Sequence, residues 1–541
     1  MTTTLNRRRI AGTALGSVVA LVATTVSLSS AATAAPAPGE ITQSQGLRKA
    51  VTVAGIREHQ AAFQAHSDAN GGNRAGGSPG YEASANYVSS KAAAAGYTVS
   101  NHFFDFTYNA DRTPPILRQE SPTATTYVDG VDFSSMTFSG SIPQTTAAVW
   151  AVDLALPQAP GPGATTSGCE SADFAGMPVG SIALMQRGTC TFGAKADNAR
   201  AAGAIASVIF NDGGDAGRVG IINGTLGPGS HGPAVGTTLA LGQDLANGFA
   251  SGSTGSTATI KVDRVEEVRT TRNVIAESPG GDPNKVIVVG AHLDSVPRGA
   301  GVNDNGSGSG GILEIAEQLA ARGIDPRNKI RFVWWGAEEF GLLGSRAYVA
   351  DLPPAERAKI VMNLNFDMIG SPNYVRFIYD GDNSAFPVGP GAAAGPPGSG
   401  EIERVFTDYF AAVGLASAET PFSGRSDYGP FIEVGIPAGG LFTGAEGVKT
   451  AAQQAIFGGT TGAQYDPCYH LLCDTYAGTD TAYAKQGLGE MADAAAHATL
   501  HFAKRNFAQR PLVNPAAPVS GSAAAAGGGG LHAEHEEAVA R

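Results

Sequence analysis

KVIVVGAHLDS (residues 285–295), GVNDNGSGSGGILEIAEQLAA (301–321) and KIRFVWWGAEEFG (329–341) decide the fold of this chain. The first opens on an unbroken apolar run, the pattern of a strand buried on both faces in a parallel sheet. In the second, Ile312, Leu313, Ile315, Ala316, Leu319 and Ala320 fall on one helix face. The third is another apolar run. Strand, helix and strand make a crossover unit, and KIVMNLNFDMIG (359–370) and VRFIYD (375–380) continue the series. The expected class is α/β, a mostly parallel mixed sheet covered by helices.

Working outward, residues 50–105 read as helix, loop, helix and strand, with 83–95 an amphipathic helix. The loop, ANGGNRAGGSPGY (69–81), is Gly-rich but lacks the Lys-Ser/Thr of a phosphate loop, so it reads as a turn that brings backbone near a cleft. Residues 36–48 read as a polar, Pro-containing lead. From about 147 the texture changes: AAVWAVDLAL (147–156), IALMQRGTC (182–190) and ASVIFND (206–212) read as strands around a short helix at 194–202. The segment 146–262 is therefore expected to be a small inserted α/β domain, leaving 40–145 and 263–505 as the main one. An amphipathic helix at 488–502 closes the main domain. Residues 510–541 are low-complexity, and the His532/His535 pair there reads as part of a solvated tail.

The chain has 541 residues, more than one small fold requires. Gly and Pro make up about 19% of it, below the roughly 25–30% of an aperiodic disordered chain. Its formal net charge is −12, which argues against a generic nucleic-acid binder because phosphates repel an acidic surface, and leaves room for one local basic patch. Arg7–Arg9, an apolar run from Ile10 to about Leu28 and Ala32-Thr33-Ala34 form a signal-peptide pattern over 1–34, implying export. After the leader, no apolar stretch is long enough to span a bilayer, so no stable membrane insertion is expected. The four cysteines form no CxxC, so their spacing favours two local disulfides, Cys169–Cys190 and Cys468–Cys473.

In open α/β sheets, functional residues gather beyond the carboxyl ends of the strands. Those ends supply His292 with Asp294, then Glu338 with Glu339, then Asp367, while the loop after the first strand supplies Asp304. So many carboxylates on one rim repel each other, and divalent metal is the natural compensation. Imidazole with carboxylate suits zinc, and a set this large suits two ions. A second histidine, His470, lies in YDPCYHLLC (465–473) between Cys468 and Cys473, where a disulfide would fix its backbone.

The ordered motifs GAHLDS, GVNDNGSG, WWGAEEFGLLGS, NFDMIG and DPCYHLLCDT resemble the secreted di-zinc aminopeptidases, a family that includes Streptomyces aminopeptidase and yeast aminopeptidase Y. The segment 180–212 resembles the protease-associated domain, which aminopeptidase Y carries at the same place. The resemblance implies two zinc ions per chain. Asp304 would bridge them, His292 and Asp367 would complete one, and Glu339 with His470 the other. It implies Glu338 as general base, Asp294 as the residue orienting His292, Tyr469 as a group polarising the scissile carbonyl, and Arg425 in SGRSDYGPF (423–431) as an active-site arginine. Glu338 and Asp367 would hold a free α-ammonium, making the substrate a peptide N-terminus. The family's calcium ligands have no clear counterparts here. Alternatives are a carboxypeptidase or dipeptidase on the same scaffold, using Arg425 for a substrate carboxylate, and a transferrin-receptor-like binding module without metal. Related glutaminyl cyclases use one zinc, which a complete set of five ligands argues against.

Overall fold

The computed structural model describes residues 38–157, 161–214, 218–227, 229–389 and 391–512, with side chains from residue 41 onward. The expected leader and the tail beyond 512, with His532 and His535, lie outside the described residues.

Four parallel strands form the middle of the main sheet, in the spatial order Ala438–Phe442, Ile360–Phe366, Asp282–His292 and Asn328–Trp335. Antiparallel strands flank them: Phe377–Tyr379 on one side and Gly252–Glu277 on the other. This is the mostly parallel mixed sheet that the apolar runs predict. His292 is in register with Trp335, so neighbouring strands end level and deliver their next residues to one rim.

Helix Gly306–Ala321 connects strands Asp282–His292 and Asn328–Trp335. Its first turns contain Gly306, Gly308, Gly310 and Gly311, each costing about 1 kcal/mol of helix propensity. They are there for closeness: a Cβ on Gly308 would lie 2.0 Å from the Phe366 carbonyl oxygen. Burial of Ile312, Leu313, Ile315 and Leu319 on the sheet, at about 1.5–3 kcal/mol each, outweighs that cost. Asn305 caps the helix, accepting the Gly308 N–H at 2.9 Å.

The lead expected to be polar is instead helix Pro38–Ala50. Leu47 is buried, Ser44 Oγ lies 2.8 Å from His497 Nδ1, and Arg48 pairs with Asp493 at 2.8 Å. These partners all come from the closing helix, Ala482–Lys504, or its neighbours, so the segment has no local pattern to read.

A second layered unit forms around parallel strands Ile182–Gln186, Ala206–Phe210 and Ala234–Thr237 with helices Phe192–Ala201 and Leu239–Ala246. Strand Thr98–Ser121 runs antiparallel to Gly252–Glu277 from the main sheet into this unit, so the two share one continuous sheet. Leu117 and Phe133, which precede residue 146, pack into its core beside Val149 and Ile182. Cys169–Cys190 lies within it and Cys468–Cys473 within the main domain, and no described cysteine is free. No helix among the described residues is long and apolar enough to cross a membrane.

Candidate metal centre

The rim is built by one turn. After Trp335 the chain reverses through Gly336, where a Cβ would lie 2.6 Å from Tyr81 Oη, and through Ala337, held left-handed at φ 56°. A single turn of 3-10 helix, Glu338–Phe340, follows. Asp294 caps it: its carboxylate accepts the N–H of Glu338 at 3.1 Å and of Glu339 at 3.3 Å. The carbonyl of the same residue lies 3.1 Å from His292 Nδ1, closer than its carboxylate at 3.6 Å. Asp294 thus faces the His292 ring as the sequence motif implies, but its carboxylate hydrogen-bonds to the Glu338–Glu339 turn.

Two triads share one member. His292 Nε2 lies 3.3 Å from Asp304 Oδ1 and 3.2 Å from Asp367 Oδ1. His470 Nε2 lies 3.2 Å from the other Asp304 oxygen and 3.0 Å from Glu339 Oε2. A tetrahedral zinc with bonds near 2.0–2.1 Å separates its ligand atoms by about 3.3 Å, so the two edges that meet at the histidine in each triad have the length such an ion needs. Glu339 Oε1 is buried without a hydrogen-bond partner. Glu338 Oε2 stands back, 3.9 Å from His292 Nε2. His470 sits at φ 59° between Cys468 and Cys473, whose disulfide closes the loop.

Four supporting residues were not singled out in the sequence. Asp474 accepts the N–H groups of Asn303 and Asp304 at 2.7 and 2.9 Å, and Asp466 accepts Asn303 Nδ2 at 2.7 Å. Ser426 donates to Asp367 Oδ2 at 2.6 Å and accepts from Asn365 Nδ2 at 2.7 Å, leaving Oδ1 turned to the triad. Arg74, from the Gly-rich loop, is fully buried and donates to the carbonyls of Leu293, Ala300 and Gly301. That loop does approach the cleft, as the missing phosphate-loop lysine suggested, but its arginine side chain does the holding. The signal for Asp474 was present in the DPCYHLLCDT motif, where it directly follows Cys473.

The electrostatics ask for positive charge. Burial opposes an imidazolium, yet Asp367 and Glu338 hold His292 well above its ordinary range, and Glu339 with Asp304 holds His470 up at about 10. Burial, against the pull of His292, pushes the Glu338 carboxyl well above the carboxylate range, with Asp427 and Asp367 adding to it. Burial likewise lifts Glu339 to about 7 and the fully buried Asp427 to about 8. The cluster therefore collects protons on both histidines and on Glu338, Glu339 and Asp427, while the two histidines hold the buried Asp304 between them well below the carboxylate range. Divalent cations would satisfy the same potential, and the donor set fits zinc.

Tyr469 stacks on the His470 ring with centroids 3.8 Å apart. Arg425 donates to Tyr469 Oη at 3.1 Å and pairs with Glu446 at 2.7 Å. Its charge is already met by a carboxylate of the chain, which disfavours the carboxypeptidase use of that arginine.

Residues 273–498 match the model of peptidase family M28, and residues 152–245 match the PA domain. An aminopeptidase of Pseudomonas aeruginosa is 49% identical over 414 residues, covering 75% of this chain and 74% of that protein. Leucine aminopeptidase 2 of Arthroderma otae is 40% identical over 427 residues, 78% of each chain. Among solved structures, an aminopeptidase from Aneurinibacillus sp. strain AM-1 superposes with a TM-score of 0.61 at 25% identity, covering 88% of this chain and 98% of that one. A zinc aminopeptidase from Bacillus subtilis gives 0.59 at 23% identity, covering 82% and 94%, a likeness of fold.

Proposed function

Because this chain belongs to peptidase family M28 and is a zinc metallo-aminopeptidase with an inserted PA domain, we propose that it holds two zinc ions and removes residues from peptide N-termini outside the cell. The observation that carries this reading is Asp304, whose two oxygens each face a different histidine, each histidine having a second carboxylate of its own. His292, Asp304 and Asp367 would hold one ion, and Asp304, Glu339 and His470 the other. Bound there, zinc supplies Lewis acidity that polarises the scissile carbonyl and acidifies water.

The chain's own residues do the rest. Glu338, beside but outside the ligand set, takes the proton from the attacking water and returns it to the leaving amine. Tyr469 accepts from Arg425, so its own O–H proton is available to the developing oxyanion. Asp367 and Glu338 offer negative charge to the α-ammonium, which a blocked N-terminus lacks. Asp294 aligns His292 and the Glu338 turn together. The N-terminal leader pattern and the two disulfides support export.

Leucyl-p-nitroanilide, its N-acetyl derivative and elemental analysis test the reading together. Expected are chelator-sensitive cleavage of the free amine, none of the acetylated substrate, and two zinc ions in the centre. A single catalytic zinc, or cleavage of the acetylated substrate, contradicts it.

A further inference from the structure

Away from the catalytic rim, one more histidine and two more carboxylates meet where helix Val53–Ala69 packs on helix Gly306–Ala321. They are His59, Glu314 and Glu317. His59 and Glu314 are buried, and Glu317 lies at the edge with its side chain 24% exposed.

The atoms each residue has already committed decide what the cluster can do. His59 Nδ1 is 2.9 Å from Tyr87 Oη, which fixes the ring. Glu314 Oε1 accepts the Thr52 N–H at 3.2 Å and Gln318 Nε2 at 3.4 Å. Glu317 gives Oε1 to Lys91 Nζ at 3.5 Å. One atom of each remains, and the three point at one another: His59 Nε2 lies 3.3 Å from Glu317 Oε2 and 4.0 Å from Glu314 Oε2. Nε2 is buried and aligned in no hydrogen bond with either oxygen.

Lys91 lies on the outer side of Glu317 and is shared with Glu58, so it neutralises the periphery and not the centre. Two carboxylate oxygens and an imidazole nitrogen facing one another in a buried place need a positive charge between them. The His59–Glu317 separation already equals the ligand edge of a tetrahedral zinc, about 3.3 Å, and the Glu314 oxygen closes to it by a small rotation. The Tyr87 contact on the far ring nitrogen is the outer-shell partner that a ligating histidine usually has.

We propose that His59, Glu314 and Glu317 form a further divalent-cation site of zinc type, separate from the catalytic pair, with water in the fourth position. Its place in the fold gives it a task. Helix Val53–Ala69 runs straight into the loop that carries Arg74, and helix Gly306–Ala321 starts just after Asp304. An ion between the two helices ties them to each other, so it serves the stability of this helix pair and not the chemistry at the rim.

The test compares zinc content of the full-length enzyme, loaded with zinc and desalted without chelator, against His59→Gln and Glu317→Gln. Each variant is expected to carry one zinc fewer than the parent measured beside it, whatever number the catalytic centre holds, with kcat on leucyl-p-nitroanilide within about twofold. Tyr87→Phe is expected to keep the ion but to bind it about 10–100-fold more weakly in competition with a chromophoric chelator. Should His59→Gln fail to fold, Glu317→Gln, altered at the partly exposed edge, decides alone. Equal zinc in parent and Glu317→Gln overturns the site. Loss of zinc together with loss of kcat also overturns it, since the missing ion would then be catalytic.

Discussion

Two largely buried groups of carboxylates in the same domain have opposite solutions to the same electrostatic problem. At the catalytic rim, Asp304, Glu339 and Asp367 face His292 and His470. On the neighbouring strand end, Asp380, Asp382 and Glu403 come equally close together. There the backbone supplies the donors: Asp380 accepts the N–H groups of Ser384, Ala385 and Phe386 at 3.0, 3.1 and 2.7 Å, and Glu403 accepts those of Gly381 and Asp382 at 2.8 and 3.3 Å. The first group has few such donors on its inward oxygens, and Glu339 Oε1 has none. Proximity of acids is common to both groups and does not tell them apart. Imidazoles and an open carboxylate oxygen, the donor set that suits zinc, belong to the first alone.

The largest effect expected from breaking this contrast is at Glu338, which belongs to the rim but to neither triad. Glu338→Gln should keep its zinc and lose at least about 100-fold in kcat, because general-base catalysis is worth roughly 10²–10⁴-fold. Elemental analysis beside steady-state kinetics checks it, and loss of zinc from this variant would mean that the roles of Glu338 and Glu339 are reversed. Glu339→Gln comes next. It should lose activity at trace zinc, recover part of it on zinc addition, and bind the metal at least about 100-fold more weakly, since a ligand should matter no less than the outer-shell partners worth 10–100-fold. A zinc titration of activity reads this directly.

Ser426→Ala sharpens the comparison more gently. It removes the donor that occupies Asp367 Oδ2, and about a 10-fold loss of zinc affinity is expected, with the fold intact. Competition with a chelator measures it, and Ser426→Thr should restore the affinity.

The smallest effect lies in the backbone-solvated group. Burial, then Asp382 and Glu419, raises Glu403 to about 8 from 4.5. Folding therefore favours its protonated form. The stability this contributes is complete below about pH 4.5 and is lost as pH rises through about 8. Glu403→Gln should leave zinc content and kcat unchanged and raise Tm by about 1–2 °C at pH 8, with no rise at pH 4.5. Thermal melts at the two pH values check the sign. A fall in zinc content would place this group in a metal site after all.

The five ligand candidates and Glu338 were legible because each is tied to a local pattern. His292, Glu338, Glu339 and Asp367 follow apolar runs, Asp304 precedes a helix cap, and His470 sits between two close cysteines. A strand-end rule then places most of them on one rim without any coordinates. Helix Pro38–Ala50 escaped because it is held by Ser44–His497 and Arg48–Asp493, pairs separated by more than four hundred residues of chain. Tyr469 and Arg425 came from motif resemblance, and only the fold reveals that Arg425 is spent on Glu446 and Tyr469.

By itself, then, the sequence determined most strands and helices of the main sheet, that this sheet is mostly parallel, and which histidines and carboxylates are candidates for zinc. Hydrophobic periodicity and covalent neighbourhood are properties of short segments, so no folding is needed to read them. Tertiary structure alone decided which oxygens of those residues are free. Asp367 turns Oδ1 inward because Ser426 takes Oδ2, Asp304 is aimed by Asp474, and the carbonyls at 293, 300 and 301 are met by Arg74. Each is a hydrogen bond made because burial removed water from a polar group, and its partner is whichever donor the fold brings near.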